Sequence, residues 1–173
     1  MTDTFKIIPA DFTDIPSLVQ LVNSAYRGEG SKKGWTTEAD LLGGIRTNET
    51  TLTSILQNST DIILKCCDAD ENIIGCVHLQ HQLKKIYLGM LTVSPQLQTK
   101  GIGKLLLSAS EKYARENNFE SIIMTVISVR KELINWYERR GYINTGETKP
   151  FPHDPNFGIP KLELEFIVME KKF

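Results

Sequence analysis

Two glycines at the start of an amphipathic segment have the spacing that points most directly to chemistry. Gly101 and Gly103 follow an apolar run and a turn marked by Pro95, and apolar residues then recur at helical spacing. The first N–H groups of a helix lack internal partners and carry partial positive charge, so they attract phosphates. Glycine lets such a ligand approach the backbone closely. The sequence therefore predicts an anion-binding cradle at residues 98–104.

Two better-known glycine loops do not match this cradle. The phosphate loop of nucleoside triphosphatases requires two spaced glycines followed directly by Lys and Ser or Thr. The dinucleotide-binding fingerprint requires a third glycine where this chain has Leu106. Taken alone, helix capping explains the two glycines equally well.

The elements that position the cradle follow from hydrophobic periodicity. Three apolar runs separated by turn signals predict an antiparallel meander that leads into the cradle helix. The whole order predicts one mixed α/β domain at residues 1–173, with a mostly antiparallel sheet of about seven strands flanked by about four helices. Strands are predicted at residues 5–9, 62–67, 73–79, 86–93, 121–126, 142–147 and 162–169. Helices are predicted at residues 11–27, 36–45, 101–117 and 131–140, with a short helical piece at 52–57.

Composition and charge exclude several classes of function. The chain has 173 residues and a formal charge of −1, which suits one soluble domain and gives no reason to expect nucleic acid or an anionic membrane as a partner. No stretch is apolar over the length that a bilayer requires. Residues 1–6 lack the basic start and apolar run of a secretory signal, so we expect a cytoplasmic protein.

The cysteines are odd in number and two are adjacent, which indicates reduced thiols packed in strands rather than a disulfide framework. Cys66, Cys67 and Cys76, together with His78 and His81, also raise the question of a metal site. On one strand Cys76 and His78 would face one side and His81 the other, and no paired Cys-x-x-Cys spacing occurs. We therefore expect no metal.

The spacing Gln98-x-x-Gly101-x-Gly103 resembles the Gln/Arg-x-x-Gly-x-Gly/Ala signature of the GNAT superfamily, N-acetyltransferases that bind acetyl-coenzyme A (acetyl-CoA). An apolar strand, a proline turn and a long helix surround it in that family's order. The resemblance covers residues 5–169 and implies the GNAT fold. In that fold the fourth and fifth strands splay apart where the cradle helix begins, and the coenzyme lies in the cleft.

The resemblance also implies which residues hold the coenzyme. Cradle amides bind its pyrophosphate, and backbone groups of the fourth strand align its pantetheine arm like an added strand. Thr99 departs from the glycine that many relatives have there. Arg130 could reach a coenzyme phosphate or a substrate carboxylate, or face solvent. The predicted coenzyme-binding residues are Leu91, Thr92, Val93, Gln98, Thr99, Lys100, Gly101, Ile102, Gly103, Lys104 and Arg130.

Residues 134–142, Ile-Asn-Trp-Tyr-Glu-Arg-Arg-Gly-Tyr, resemble the Leu-Tyr-Glu-Lys-Leu-Gly-Phe end of the family's helix after the fifth strand. Tyr137 matches the tyrosine that acts as general acid. The departing thiolate has a pKa of about 8.5, and a positioned O–H group can stabilise or protonate it. A tyrosine packed under the sheet with its hydroxyl satisfied is the alternative.

The general base is less clearly indicated. An alkyl ammonium of pKa about 10.4 must lose a proton before attack, at a cost of roughly 4 to 5 kcal/mol at neutral pH. Many relatives place a Glu on the fourth strand for this, but residues 86–94 contain no acid and Gly89 occupies the expected position. His78 on the adjacent strand is the candidate base, with a core histidine as the alternative; an arylamine would need no base. A water chain could end instead at Glu29, Glu38 or Asp40.

Acceptor specificity is expected in segments outside the coenzyme half of the cleft, because loops on a rigid scaffold commonly carry recognition. These are the end of the first helix, the segment after it, and the loop at residues 151–160. The predicted acceptor contacts are Tyr26, Arg27, Trp35 and Arg46. We hypothesise that Arg27 or Arg46 pairs with a carboxylate on a small amine; solvated surface arginines are the alternative.

The sequence thus predicts an acetyl-CoA-dependent N-acetyltransferase that transfers acetyl directly to the primary amine of a small molecule in a ternary complex. A covalent acetyl-enzyme is disfavoured because no cysteine lies in a nucleophile motif. A homodimer is left open. Two alternatives remain: N-acetylation of a protein or peptide amine, and a non-catalytic domain that senses acyl-CoA.

Overall fold

The computed structural model describes residues 4–173, so residues 1–3, on which the predicted domain and the secretory-signal expectation partly rest, lie outside the described residues. Strands form largely where apolar residues recur every two residues, and helices form largely where they recur about every 3.6 residues. The strands are β1 (Lys6–Pro9), β2 (Leu42–Gly43), β3 (Asp61–Cys67), β4 (Ile73–Gln82), β5 (Lys85–Val93), β6 (Ser121–Ile127), β7 (Ile143–Pro150), β8 (Ile159–Pro160) and β9 (Glu165–Lys172). The helices are α1 (Ile15–Tyr26), α2 (Glu49–Gln57), α3 (Ile102–Glu116) and α4 (Lys131–Glu138), with short 3-10 helices at Phe12–Asp14, Glu29–Lys33 and Pro95–Lys100.

Seven strands form one sheet in the order β1-β3-β4-β5-β6-β9-β7. Neighbouring strands are antiparallel except β5 and β6, which run parallel because α3 connects them. The last strand, β9, lies between β6 and β7, and β2 pairs with β8 in a separate ribbon. The predicted mixed α/β fold, with a mostly antiparallel seven-stranded sheet and four flanking helices, is confirmed.

The fourth and fifth strands of the sheet along the chain are β5 and β6, and they part early. Their pairing joins residues 85–87 to residues 121–123 and does not continue. Beyond this point β5 bulges against β4, since the register shifts between Cys76 and His78 and Met90 has a φ of 53°. The predicted splay is therefore confirmed, and it opens a cleft along the second half of β5.

Helices cover both faces of the sheet. Ile63 packs in one cluster with Leu18 of α1 and Leu52 of α2. The next residue, Leu64, packs in a second cluster with Leu106 of α3 and with α4. Because successive side chains of a strand face opposite sides, α1 and α2 lie on one face and α3 and α4 on the other.

Two smaller findings concern composition. Cys66, Cys67 and Cys76 are buried free thiols in β3 and β4, as predicted. Within residues 4–173, no helix has the length and apolar character that crossing a membrane requires.

The helix predicted at residues 36–45 is wrong, since this segment forms turns and strand β2. One helical turn begins, because the Leu42 N–H donates to the Glu38 carbonyl at 2.9 Å. Gly43 then follows, and Gly44 has a φ of 73°, which lies outside the helical region. Two successive glycines disfavour a helix, and pairing of β2 with β8 satisfies the backbone instead.

Gly75 of β4 marks the place where α3 lies closest to the sheet. A Cβ at this position would lie 2.9 Å from the Thr92 carbonyl oxygen, 3.0 Å from Leu106 Cδ1 and 3.1 Å from Ile102 Cγ2. Gly75→Ala should therefore lower the unfolding free energy by about 1 to 3 kcal/mol in urea titrations. Gly43→Ala is the matched control, because the nearest atom to its Cβ would be the Ile159 carbonyl oxygen at 3.8 Å. Equal stability of Gly75→Ala and wild type would contradict this close packing.

Candidate active site

Two cavities open where β5 and β6 part, and they share a wall. One, the α3 cavity, has a volume of about 270 Å³ and lies against the first turn of α3. The other, the phenylalanine cavity, has a volume of about 250 Å³ and is bordered by Phe151, Phe157 and Phe166. Both are lined by Tyr26, Glu38, Leu91, Arg130, Leu133 and Tyr137. Molecules bound in the two cavities would therefore meet at this shared wall.

The α3 cavity has an open helix N-terminus at its edge. No side chain of the described residues caps α3, so the N–H groups of its first turn face the cavity without a helical partner. Gly101, the residue before α3, has a φ of 80°, and open space surrounds its α-carbon. Gly103 lies against Trp136, 3.6 Å from where a Cβ would stand. The junction combines a backbone conformation that favours glycine with partial positive charge.

Most of the predicted coenzyme-binding residues are brought together here. All of them line the α3 cavity except Lys100 and Ile102, and Ile102 is fully buried in the core. The side chain of Gln98 forms a hydrogen bond within the protein, because its Oε1 accepts from the Trp35 N–H at 2.9 Å. Gln98 thereby fastens the Trp35 segment beside the α3 cavity. Trp35 lines that cavity and not the phenylalanine cavity, so it lies on the coenzyme side rather than the predicted acceptor side.

Arg140 adds a cation to the α3 cavity that the sequence reasoning missed. Its guanidinium stacks on the Trp136 ring, 3.8 Å from the ring centroid, and Nη1 donates to the Trp136 carbonyl at 2.8 Å. Burial, then the charge of Arg139, lowers the pKa of Arg140. Its Nε is buried without a hydrogen-bond partner among the described residues. The signal available in the sequence was its position one helical turn beyond Tyr137.

Arg27 and Arg130 both form ion pairs with Glu38. Arg130 Nη1 donates to Glu38 Oε1 at 2.8 Å, and Arg27 Nη1 donates to Glu38 Oε2. All three residues are buried. Arg27 Nη2 also donates to the Phe157 carbonyl at 2.8 Å, and Arg130 Nη2 donates to Thr36 Oγ1 at 2.6 Å. We call this network the Arg27–Glu38–Arg130 triad.

The triad changes three of the predicted roles. The fork of Arg27 is occupied by Glu38 and Phe157, so it does not present a free pair of donors to a substrate carboxylate. Arg130 lines the α3 cavity but directs its terminal nitrogens at Glu38 and Thr36. Glu38 has both oxygens in ion pairs, so it offers no free oxygen for a proton-conducting water chain.

Tyr137 lies on the wall that the two cavities share. Its ring is buried and is packed edge-on by Trp136 at 5.1 Å and Tyr142 at 5.8 Å between centroids. Throughout residues 4–173 its hydroxyl has no hydrogen-bond partner. Burial raises the pKa of Tyr137 above its usual value, so the phenol keeps its proton. It can therefore donate a hydrogen bond at the meeting point of the cavities.

Tyr26 supports the same wall from α1. Its hydroxyl donates to the Leu91 carbonyl at 2.7 Å, at the part of β5 that has left β6. Burial raises the pKa of Tyr26 to about 12, so this donor also stays protonated. Leu91 is thus held by a side chain where its strand has no neighbour on the β6 side.

His78 faces the phenylalanine cavity from β4. It pairs with Gly89 in the β4–β5 ladder, so it stands beside the position where the family resemblance predicts an acid. Its Nε2 lies 2.5 Å from Asp61 Oδ1. Burial lowers the pKa of His78, although the hydrogen bond and charge of Asp61 act in the opposite direction. The imidazole is therefore neutral at neutral pH, and its Nδ1 is the nitrogen able to accept a proton.

The fourth predicted acceptor residue, Arg46, also lines the phenylalanine cavity. Its guanidinium carbon lies 4.4 Å from the ring centroid of Phe157 and 5.4 Å from that of Tyr26. The predicted residues Tyr26, His78 and Arg46 are thus brought together around one cavity.

Comparisons with known proteins agree with this geometry. Residues 17–142 match the profile of the acetyltransferase (GNAT) family. Curated proteins give no match. The structure is similar to a ribosomal-protein alanine N-acetyltransferase from Escherichia coli, with a TM-score of 0.73 and 15% identity over 98% of this chain and 94% of that one. It is also similar to the PaiA N-acetyltransferase from Thermoplasma acidophilum in complex with coenzyme A, with a TM-score of 0.70 and 19% identity over 98% and 99%.

The family match spans well over half of the chain. It includes Gln98, Gly101, Gly103 and Tyr137, on which the sequence resemblance was based, and the splayed strands that the resemblance implied. The protein belongs to the GNAT acetyltransferase family.

Proposed function

We propose that this protein is an acetyl-CoA-dependent N-acetyltransferase that acetylates the primary amine of a small molecule by direct attack in a ternary complex. The observation that carries the proposal is the shared wall, where Tyr137 presents a protonated hydroxyl without a protein partner to both cavities. A donor bound in the α3 cavity and an amine bound in the phenylalanine cavity would meet at this hydroxyl.

The α3 cavity suits the anionic end of acetyl-CoA. The first-turn amides of α3, the side chain of Lys104 and the unpartnered Nε of Arg140 provide positive charge for a pyrophosphate. The open space at Gly101 lets the ligand reach the backbone. Leu91 and Val93 of β5 line the same cavity and would align the pantetheine arm. The bound coenzyme supplies the acetyl group as an activated thioester.

The transfer step defines what the protein must do. The amine nitrogen forms a bond to the acetyl carbon, the carbon–sulfur bond breaks with its electron pair left on sulfur, one proton leaves the nitrogen and one reaches the sulfur. Tyr137 donates a hydrogen bond to the developing thiolate. Full transfer from a phenol with a pKa above 10 to a thiolate of pKa about 8.5 is uphill by at least about 2 kcal/mol, so stabilisation of the thiolate is the larger contribution.

His78 is the group we assign to the amine proton. Asp61 holds the imidazole by Nε2, which leaves Nδ1 to accept a proton directly or through one water. This arrangement substitutes for the acid that is absent at Gly89, because His78 pairs with Gly89 in the ladder and lines the phenylalanine cavity. A protonated hydroxyl and a neutral imidazole on the cavity walls support catalysis over a sensor that only binds acyl-CoA.

The size of the acceptor site favours a small molecule. Small-molecule pockets commonly measure about 300 to 1,000 Å³, and the phenylalanine cavity lies near the lower limit at about 250 Å³. The segment around Phe151 and Phe157 borders it. A peptide acceptor would need a groove that continues past this segment.

The proposal is tested first by release of free thiol from acetyl-CoA in the presence of a panel of amines. With any amine that responds, Tyr137→Phe should lower turnover by about 10² to 10⁴, while calorimetry shows nearly unchanged acetyl-CoA affinity. Tyr142→Phe is the matched control, since that hydroxyl bonds to Glu111 at 3.2 Å and lines neither cavity. Wild-type turnover in Tyr137→Phe would remove the assigned role.

Binding of the pyrophosphate is tested at Gly103. A Cβ there makes only ordinary contacts, the nearest at 3.6 Å, and a carboxylate in the first turn stabilises a helix. Gly103→Asp should therefore fold, yet lower acetyl-CoA affinity by at least about tenfold, because the carboxylate repels and displaces the phosphates. Gly103→Asn has nearly the same shape without the charge. Calorimetry that finds the two variants equal in affinity would contradict the cradle.

The role of His78 predicts a specific pH dependence. The free base is required, and burial places its pKa below the usual value of 6.5. Lowering the pH through that pKa protonates His78 and removes its contribution. The ratio of wild-type to His78→Gln kcat/KM should therefore stay constant above about pH 6.5 and fall below it. Ionisation of the substrate cancels in this ratio, so a ratio that is close to one or independent of pH would count against His78 as the base.

A further inference from the structure

Arg46 is a charge without a partner in the phenylalanine cavity. The other charged residues that line this cavity have partners: Glu38 and Arg130 are paired within the triad, and His78 is hydrogen-bonded to Asp61. Among the described residues, the Arg46 side chain forms no hydrogen bond or ion pair. The cavity is therefore net positive, and Arg46 is the cation whose donors are unused, which favours an anionic group on the acceptor.

The guanidinium of Arg46 is also held in place. It lies 4.4 Å from the Phe157 centroid and 5.4 Å from the Tyr26 centroid, within the range of cation–π contacts. Its backbone N–H donates to Asn23 Oδ1 at 2.8 Å. These contacts fix the planar fork while leaving its donors unused, and such a fork matches a carboxylate.

An apolar wall stands next to this cation. The ring centroids of Phe151, Phe157 and Phe166 lie 5.2 to 6.5 Å apart. Met90 and Met124 line the same cavity. None of the lining residues, all of which are described, provides a free carboxylate for a second ammonium group. An acceptor that combines an anion with an apolar side chain fits this wall, and a polyamine does not.

Arg46 is connected to the shared wall through Tyr26. Arg46 stacks on the Tyr26 ring, and the hydroxyl of that ring bonds to Leu91 on the shared wall. One aromatic ring therefore separates the guanidinium from the place where the two cavities meet. An acceptor that contacts both the guanidinium and the shared wall carries an anionic group and an amine on one small molecule, and an α-amino acid is the simplest molecule of this kind.

We infer that the acceptor is an α-amino acid with an apolar, preferably aromatic, side chain. The Arg46 guanidinium binds its carboxylate, the three phenylalanines receive its side chain, and its α-amine reaches the wall at Tyr137. The inference rests on the proposed function, because the chemistry is the same acetyl transfer, in which a C–N bond forms, a C–S bond breaks and one proton passes from nitrogen to the released thiol.

The test compares L-phenylalanine with L-phenylalanine amide, which differ in the carboxylate alone, and adds glycine and spermidine. Free-thiol release should give a kcat/KM for L-phenylalanine at least about tenfold above that for the amide, the difference expected for a charge-assisted contact. The amide has the less basic amine, so chemical reactivity alone would favour it. Glycine should react poorly because it lacks the side chain, and spermidine should react poorly because no carboxylate receives its second cation.

Arg46→Met then separates recognition from structure. The variant should raise KM for L-phenylalanine at least about tenfold and leave KM for the amide nearly unchanged. Arg46→Lys should restore part of the lost affinity for L-phenylalanine. Misfolding would lower the turnover of both substrates equally, and thermal unfolding of each variant checks for misfolding directly.

The outcomes distinguish the inference from the function on which it rests. Equal or better turnover of the amide, preference for spermidine, or equal losses for both substrates in Arg46→Met would overturn the amino-acid assignment while leaving an active N-acetyltransferase. Absence of thiol release with every amine tested would instead remove the proposed function.

Discussion

The parting of β5 from β6 leaves backbone groups without a sheet partner, and the site is built around this constraint. A buried unsatisfied backbone group costs about 1 to 3 kcal/mol, so an open gap persists only where other groups take the missing bonds. Tyr26 donates to the Leu91 carbonyl at 2.7 Å, and the Tyr87 hydroxyl bonds to Thr125 Oγ1 at 2.7 Å just where the strands separate. The Tyr87–Thr125 bond links the strands where they separate, and Tyr26 satisfies a β5 carbonyl beyond that point, so the cleft exists before any ligand arrives.

The Arg27–Glu38–Arg130 triad fixes the remaining borders of the cleft. It joins the end of α1, the segment before β2, the start of α4 and the loop that contains Phe157. Desolvation of buried ions offsets most of their attraction, so such a network contributes little net stability. Loss of one member would still cost about 3 to 5 kcal/mol, because the others would remain buried without compensation. Its main consequence is therefore geometric, since it allows one arrangement of these segments.

Features that depend on residues close together in the sequence were predicted correctly, whereas features that depend on contacts between distant residues were not. The start of α3 and the position of Tyr137 depend on periodicity and short motifs, and both were found where predicted. The roles of Arg27 and Arg130 depend on Glu38, which is 92 residues from Arg130 in the chain, and no local pattern shows that contact. The same applies to residues 36–45, where capping and periodicity favoured a helix but the two glycines and the pairing of β2 with β8 decided the structure.

The two halves of the cleft differ in how they recognise a ligand. On the proposed coenzyme side, the groups assigned to binding are backbone amides and a helix terminus, which require few particular side chains, and the fold itself persists between proteins that share only 15% to 19% of their residues. On the proposed acceptor side, the cavity is lined by side chains from distant segments, among them Arg46, His78 and Phe157. Substrates of structural neighbours therefore do not transfer to this chain. The half-buried guanidinium with unused donors beside an aromatic wall is the stronger guide to its acceptor, because such a cation favours an anion whatever the neighbours bind.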